Sequence, residues 1–285
     1  MLESVLERLL LNTHLRGWLV GLKAVSLEAR IMSGHSKWST IKHQKGAADA
    51  KRGVLFTKIS RELTVAVKNG GGSDPDMNFH LRLVLEKAKA ANMPQDSIGR
   101  ALKRGTGEGV DGEVLEEITY EGYGPGGGAI LLQALTTNRN RTASDVRSAF
   151  SRGGGNLGES GCVAWNFDHL GVIGMEMKDE DRGEELGLIA IDAGADDVKL
   201  EDEFLEIFTA IDQLQSVQKV LEGEGVPPEA AQLSMVPKTT ISLDDKQAEQ
   251  TLRLLDTLED LDDVQKAYTN ADFPPEVLER YQTDA

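Results

Sequence analysis

The stretch RGTGEGVDGE, residues 104–113, divides this chain of 285 residues into two parts with different sequence periods. Upstream of it, apolar residues recur every three or four positions, which is typical of helices. Downstream of it, apolar and polar residues alternate in short runs that are separated by glycine, which is typical of strands. We therefore predict a helical N-terminal part, a Gly-rich acidic linker and then mixed α/β structure.

The clearest helical pattern upstream of the linker spans residues 54–68. Its apolar positions lie within about 80° of one another on a helical wheel: Phe56, Ile59, Leu63 and Val67. The glycines of residues 70–72 are expected to end this helix, and a second helix is expected to begin at Phe79. Pro94 should end the second helix, and Asp96 or Ser97 should cap a short third one.

The region after the linker predicts strands that alternate with short helices. Predicted strands cover residues 118–123, 129–137, 162–167, 172–177, 197–209, 231–243 and 264–269, and predicted helices cover residues 142–152, 182–195, 211–225 and 245–261. This order indicates an α+β protein in which a helical N-terminal domain is followed by two ferredoxin-like α/β domains, the third inserted in the second. The predicted domains are residues 32–111, residues 112–170 with 237–281, and the insert 171–236.

Residues 1–31 stand apart from these domains. Leucines at helical spacing favour an amphipathic helix, but Glu3, Glu7 and Arg8 do not fit a secretory signal. We interpret this segment as a poorly ordered leader, or as the product of a start codon upstream of Met32.

Positive charge is concentrated in one part of an acidic chain. The formal net charge is −16, yet residues 32–104 carry 14 Lys and Arg against six Asp and Glu, whereas residues 105–285 carry 13 against 38. Such an asymmetry predicts that a polyanion is attracted to the helical domain and repelled by the rest, which makes nucleic acid the expected partner. The candidate binding residues are His35, Lys37, Trp38, Lys42, His43, Lys45, Lys51, Arg52, Lys58 and Arg61.

A smaller basic group begins at Asn138. Arg139 and Arg141 precede a predicted helix, whose free N–H groups favour an anion. Two interpretations stay open at this point: a secondary site for nucleic acid, or arginines that pair with the many nearby carboxylates.

Other classes of site find little support. No apolar run is long enough to span a membrane. Cys162 is the one cysteine, which excludes an intramolecular disulfide and a multi-cysteine zinc site. The glycine clusters at 70–72, 124–128 and 153–155 lack the pattern of a phosphate-binding loop and are interpreted as turns. We predict no catalytic residues, no metal, no cofactor, a monomer and a cytoplasmic location.

Several motifs in a fixed order resemble one known family. They include GHSKWSTIKHQKGAADAKRG from Gly34, YEGYGPGG at 120–127, NRNRT at 138–142 and GGNLGESG at 154–161. The sequence from Met32 to about Tyr281 resembles the YebC/PmpR family, which includes a mitochondrial translational activator of cytochrome c oxidase. The resemblance implies three domains, no enzymatic activity, and one of two roles: DNA-binding transcriptional regulator, or ribosome-associated factor that assists translation of proline-rich stretches.

The residue types favour RNA on the ribosome, either rRNA or tRNA, over duplex DNA. Between Lys37 and Arg61, lysine outnumbers arginine five to two. Lysine contacts phosphate as a point charge, whereas bidentate guanine recognition favours arginine. No helix-turn-helix spacing with a polar recognition helix is evident. Duplex DNA remains the alternative partner.

Overall fold

A computed structural model of the chain describes residues 49–107, 115–201, 203–226, 228 and 230–284. The helices in these ranges are α1 Asp49–Asn69, α2 Phe79–Ala90, α3 Gln95–Gly105, α4 Arg139–Arg152, α5 Glu180–Asp192, α6 Leu214–Gly223, α7 Asp245–Glu259 and α8 Pro275–Asp284. The strands are β1 Glu116–Tyr123, β2 Ala129–Thr136, β3 Asn156–Leu157, β4 Phe167–Glu176, β5 Asp197–Glu201, β6 Phe204–Thr209, β7 Ala230–Pro237, β8 Ile241–Ser242, β9 Val264–Thr269 and β10 Ala271–Asp272. The proposed leader lies outside the described residues.

Helices α1, α2 and α3 form the N-terminal domain. The periodic residues Ile59, Leu63 and Val67 of α1 are buried in one core with Leu81 of α2 and Ile98 of α3. The structure confirms the predicted helix over residues 54–68. Its apolar face is covered by α2 and α3, and this burial removes the face from water. Its opposite face is left for charged side chains.

The start of α3 differs from the prediction. Pro94 occupies the N-cap position, and neither Asp96 nor Ser97 caps the helix. The Pro94 carbonyl accepts the N–H groups of Ser97 and Ile98 at 2.9 and 3.2 Å. Proline also restricts its own φ to a value that suits a helix start, so a side-chain cap is not required.

Asn78 holds the turn between α1 and α2. Its Oδ1 accepts the N–H of Leu81 at 3.0 Å, and its Nδ2 donates to the carbonyls of Ala66 and Gly72 at 2.8 and 2.9 Å. A Cβ on Gly70 would lie 2.4 Å from that Oδ1, so only glycine fits there. This glycine cluster is turn structure, as predicted.

Replacing Asn78 with alanine is expected to lower the free energy of unfolding by about 2–3 kcal/mol. The change removes a helix cap and the amide donor to the Gly72 carbonyl, and it leaves the Ala66 carbonyl with the Gly70 N–H alone. Chemical denaturation measures the loss. Asn138→Ala is the matched control, since exposed Asn138 caps α4 through one bond from the Arg141 N–H and should cost about 1 kcal/mol. Equal losses would show that the buried amide contributes only as a cap.

The middle domain is built on a sheet with the strand order β3-β1-β2-β9. β1 and β2 form the predicted hairpin, in which Tyr123 lies opposite Ala129. Its turn requires glycine, because Gly126 and Gly127 have φ values of +76° and +86°. One face of the sheet packs under α4 and α7 in a core that includes Ile130, Leu132, Val146, Phe150, Leu252 and Leu255.

The inserted domain follows the element order β-α-β-β-α-β, from β4 to β7, with the strand order β5-β6-β4-β7. Phe167 of β4 lies opposite Pro237 of β7, so the chain enters and leaves this domain side by side. The α+β class with a helical domain and two α/β domains is confirmed. The ferredoxin-like element order describes the insert, whereas a hairpin occupies the centre of the middle sheet.

One predicted strand, residues 162–167, is wrong. Ala164–Asn166 form a short 3₁₀ turn, and β4 begins only at Phe167. The reason lies in Glu121, whose carboxylate accepts the N–H groups of Gly161, Val163 and Ala164 at 2.6, 2.7 and 2.7 Å. These donors are therefore not available to a neighbouring strand.

Two longer predicted strands are each divided. Residues 197–209 form the hairpin of β5 and β6, because the chain reverses at Glu203, where φ is +63°. Residues 231–243 end their pairing at Pro237, since the next residues leave the sheet before β8. An alternating pattern can continue through a turn, so alternation alone does not reveal such breaks.

Candidate nucleic-acid interface

The described residues include the end of the predicted binding segment. Six of its residues precede the described part of the chain: His35, Lys37, Trp38, Lys42, His43 and Lys45. Of Lys51, the structure describes the helical backbone. The side chains of Arg52, Lys58 and Arg61 can be placed on α1, where Arg52 is exposed.

Lys58 and Arg61 contact the middle domain. The Lys58 ammonium donates to the carbonyl of Glu259, and the Arg61 guanidinium donates to the carbonyl of Asp262. Arg61 also forms an ion pair with Asp263 at 3.1 Å, in which the two side chains are 22% and 6% exposed. Local sequence patterns do not predict this contact, which ties both cations to the middle domain. Contact of Lys58 and Arg61 with nucleic acid stays a prediction.

Asp263 is the centre of this contact. Its Oδ2 accepts hydrogen bonds from Arg141 at 2.7 Å, from the Thr142 hydroxyl at 2.7 Å and from the Thr136 hydroxyl at 3.1 Å. Burial alone would raise the pKa of the Asp263 carboxyl. The guanidinium and the two hydroxyls outweigh burial and hold that pKa below its ordinary value. Asp263 therefore stays ionised and joins α1 of the N-terminal domain to α4 of the middle domain.

The two arginines of the predicted secondary site, Arg139 and Arg141, have different surroundings. Arg141 pairs with Asp263 at 2.7 Å, which corresponds to the second of the two interpretations left open above. Arg139 is exposed at the first residue of α4, and its carbonyl accepts the Tyr120 hydroxyl at 3.3 Å. Contact of Arg139 with nucleic acid stays a prediction.

A third group of cations lies on α3 and was missed in the sequence analysis. Arg100, Lys103 and Arg104 are exposed, and their spacing of three and four residues places them on one side of the helix. Arg104 donates to the Ser60 hydroxyl of α1 at 2.8 Å, so this group lies beside α1. The spacing of the cations in RALKR is visible in the sequence. The prediction named only the upstream segment, because cations are more densely spaced there.

A surface cavity of about 510 Å³ follows the same side of α3. It is lined by Gln95, Asp96, Gly99, Arg100 and Lys103. Two cations and one carboxylate border it, so its charge is suited to an anion that approaches from the solvent side. Phosphate groups of a nucleic-acid backbone meet this description.

Cys162 is a packed thiol. Its side chain packs against the cluster of Ala129, Leu131 and Val163, and a Cβ on Gly158 would lie 2.5 Å from its Sγ. Burial raises its pKa, and the Glu121 charge adds to this effect. The thiol is therefore protonated at neutral pH, unlike that of a nucleophile.

Two absences concern the described residues alone. In these ranges, no group of three or more His, Cys, Asp or Glu side chains lies close enough together to hold a metal ion. None of the helices described above is both long enough and apolar enough to cross a bilayer.

Two family profiles match successive parts of the chain. The profile described as "TACO1/YebC protein N-terminal domain" matches residues 36–108, and the profile "TACO1/YebC second and third domain" matches residues 115–271. The chain belongs to the TACO1/YebC family. The resemblance inferred from the sequence motifs is thereby confirmed, and the gap between the two profiles, residues 109–114, overlaps the predicted linker at residues 104–113.

Similar proteins span almost the whole TACO1/YebC chain. A "probable transcriptional regulatory protein" of Dehalococcoides mccartyi is 54% identical over 254 residues, which are 89% of this chain and 100% of the relative. A protein of the same name from Moorella thermoacetica is 55% identical and covers 87% of this chain and 99% of its own. The crystal structure of a conserved hypothetical protein from Aquifex aeolicus, 44% identical, matches with a TM-score of 0.75 over 85% of this chain and 99% of that one.

Proposed function

We propose that this TACO1/YebC protein is a non-enzymatic regulator of gene expression that binds nucleic acid through its N-terminal domain. We further propose that the nucleic acid is RNA of the ribosome and that the protein assists translation of difficult, proline-rich sequences. The names of the two bacterial relatives agree with the coarser statement, that of a regulator. The resemblance stated above supplies the proline-rich role.

The observation that carries the proposal is the separation of charge between domains. Residues 32–104 carry 14 basic and six acidic residues, whereas residues 171–236 carry four basic and 17 acidic ones. A phosphate chain is therefore attracted to the N-terminal domain and repelled by the insert. This asymmetry also fixes an orientation, since the two regions cannot approach a polyanion equally well.

The contacts of α1 support one particular binding surface. Lys58 and Arg61 hold the N-terminal domain against the middle domain. Arg52 of α1 and Lys103 of α3 are exposed cations. We propose that they bind nucleic acid together with the basic residues before 49. Binding through several phosphates at once releases counterions, so affinity should depend strongly on salt.

The choice between RNA and DNA depends on residue type. Lysines are the majority in the segment from Lys37 to Arg61, which suits phosphate contact rather than base-edge recognition. The second candidate function is that of a DNA-binding transcriptional regulator, and the name "probable transcriptional regulatory protein" of the relatives agrees with its regulatory part. The residue types favour RNA, and a direct comparison of RNA and DNA ligands distinguishes the two functions.

We expect the protein to bind a ribosomal RNA fragment more tightly than a random duplex or a promoter duplex of equal length. If six phosphates are contacted, the slope of log affinity against log salt should be about −4 for single strands. Gel-shift titrations at several salt concentrations measure both quantities. Sedimentation with ribosomes at low and high salt provides a second readout. A nanomolar preference for one DNA sequence would overturn the RNA assignment and support the transcriptional regulator.

A further inference from the structure

Two exposed aromatic side chains lie beside each other in the middle domain. Among the large hydrophobic side chains exposed in the described ranges, only Tyr123 and Trp165 are aromatic, with exposures of 41% and 66%. Tyr123 ends β1, and Trp165 lies in the 3₁₀ turn before β4. The Tyr123 hydroxyl and the Trp165 Nε1 both donate to the carbonyl of Cys162, each at 3.0 Å.

The loop that carries Trp165 is fixed by a buried carboxylate. Glu121 is 5% exposed and accepts three backbone N–H groups from the loop, including that of Ala164, the residue before Trp165. Burial acts to raise the pKa of Glu121, but these donors outweigh it and hold that pKa below its ordinary value. The Gly158 N–H also donates to the Glu121 carbonyl at 2.8 Å. The aromatic pair therefore rests on a rigid support at neutral pH.

The shared acceptor determines what the two rings can still contact. Tyrosine and tryptophan usually use their polar group to bind a partner when they lie at an interface. Here the Tyr123 hydroxyl hydrogen and the Trp165 N–H are already bonded to Cys162. With these polar hydrogens in use, the rings offer a partner mainly their carbon atoms. Such rings favour a ligand that is itself flat and stacks.

We propose that Trp165, supported by Tyr123, is a stacking site for an unpaired nucleobase of RNA. The proposal rests on the proposed function, which brings RNA to this protein. Every base has a π-face, so stacking on an aromatic side chain requires no further donors. A proline-rich peptide would also contact aromatic rings, but such peptides bind in grooves lined by several aromatic side chains. The two rings described here form a platform for one base.

A cation lies close to the platform. The backbone N–H of Lys238 donates to the carbonyl of Asn166, the residue after Trp165, at 2.7 Å. The Lys238 side chain is 43% exposed and pairs with Asp168 at 3.0 Å. Exposed ion pairs of this kind are weak, so the ammonium can contact the phosphate that adjoins a stacked base.

The test compares two single-stranded RNAs of twelve nucleotides by fluorescence anisotropy, using the full chain. One RNA carries all its bases, and the other has abasic riboses at its central positions. We expect the intact RNA to bind the wild-type protein about 5- to 150-fold more tightly, the range for stacking of one base. Trp165→Ala should remove this ratio and leave the salt slope unchanged, whereas Trp165→Phe should keep most of it. Leu188→Ala is the matched control, since Leu188 is 69% exposed in the insert.

Each outcome distinguishes this site from the proposed function. Salt-dependent binding with a base-to-abasic ratio that Trp165→Ala leaves unchanged would overturn the stacking site and leave the proposed function standing. No binding of either RNA by the wild-type protein would overturn both. Equal losses for Trp165→Ala and Leu188→Ala would also overturn the stacking site. A proline-rich decapeptide could bind the wild-type protein but not Trp165→Ala, while the ratio between intact and abasic RNA is the same for both proteins. This result would overturn the stacking site and assign Trp165 to peptide binding.

Discussion

Reversing the charge of Lys42, Lys45 and Arg52 to glutamate is expected to lower the affinity for ribosomal RNA at least about a hundredfold. Each lysine or arginine in contact with a phosphate contributes about 1 kcal/mol in water, and each glutamate adds a repulsion of similar size. Three lost phosphate contacts should also make the slope of log affinity against log salt less steep by about 2. Gel-shift titration across salt concentrations measures both changes.

The control for this triple variant is a reversal of equal charge elsewhere. Lys178, Lys199 and Lys219 are the lysines of the acidic insert, residues 171–236. Their change to glutamate alters the net charge by the same amount, yet we expect less than about a threefold loss because these charges lie away from the phosphate chain. Unaltered binding by the Lys42, Lys45 and Arg52 variant would exclude these residues from the interface. Equal losses for both variants would mean that net charge alone governs binding.

Much of the fold could be predicted because amphipathic patterns reflect burial directly. The spacing of Ile59, Leu63 and Val67 identifies one face of α1, and the glycines between β1 and β2 identify a hairpin turn. These signals are local in sequence. They depend on the residues themselves and not on which distant segment they meet.

Lys58 and Arg61 make contacts that local sequence patterns do not predict. They lie across α1 from its core residues, so a helical wheel assigns both to the surface. Their acceptors include the carbonyls of Glu259 and Asp262. Every residue has a carbonyl, so a sequence contains no sign that one particular carbonyl will accept a lysine 201 residues away.

The aromatic pair escaped prediction for a related reason. Trp165 lies in the apolar run CVAWNF, which resembles a buried strand. The carboxylate of Glu121 binds the N–H groups of this run and turns it outward, which exposes Trp165. Glu121 itself looks like an ordinary exposed residue in an alternating strand. Only the folded structure shows that it points inward to Val163 and Ala164.

Replacing Asp263 with asparagine is expected to lower the free energy of unfolding by about 2–4 kcal/mol. The change removes the charge that pairs with Arg61 and Arg141 and leaves the Thr142 hydroxyl with a poorer acceptor. Because Asp263 is 5% exposed, water cannot replace these bonds. Denaturant titration at neutral pH measures the loss. Asp168→Asn is the matched control, since Asp168 is half exposed in its pair with Lys238 and should cost at most about 1 kcal/mol.

The direction of the Asp263 pKa shift determines how this loss of stability changes with pH. The pKa of Asp263 in the folded protein lies below its ordinary value of about 3.9, so the folded state favours the ionised form. Its stabilisation is therefore complete above about pH 5, roughly one unit above the pKa of the unfolded state, and is lost as the pH falls through the folded pKa. The difference between wild type and Asp263→Asn should be constant from pH 7 to about pH 5 and should shrink on further acidification. A difference that does not depend on pH would show that shape, not charge, explains the effect of Asp263, and the ionic contact between the two domains would then contribute nothing to stability.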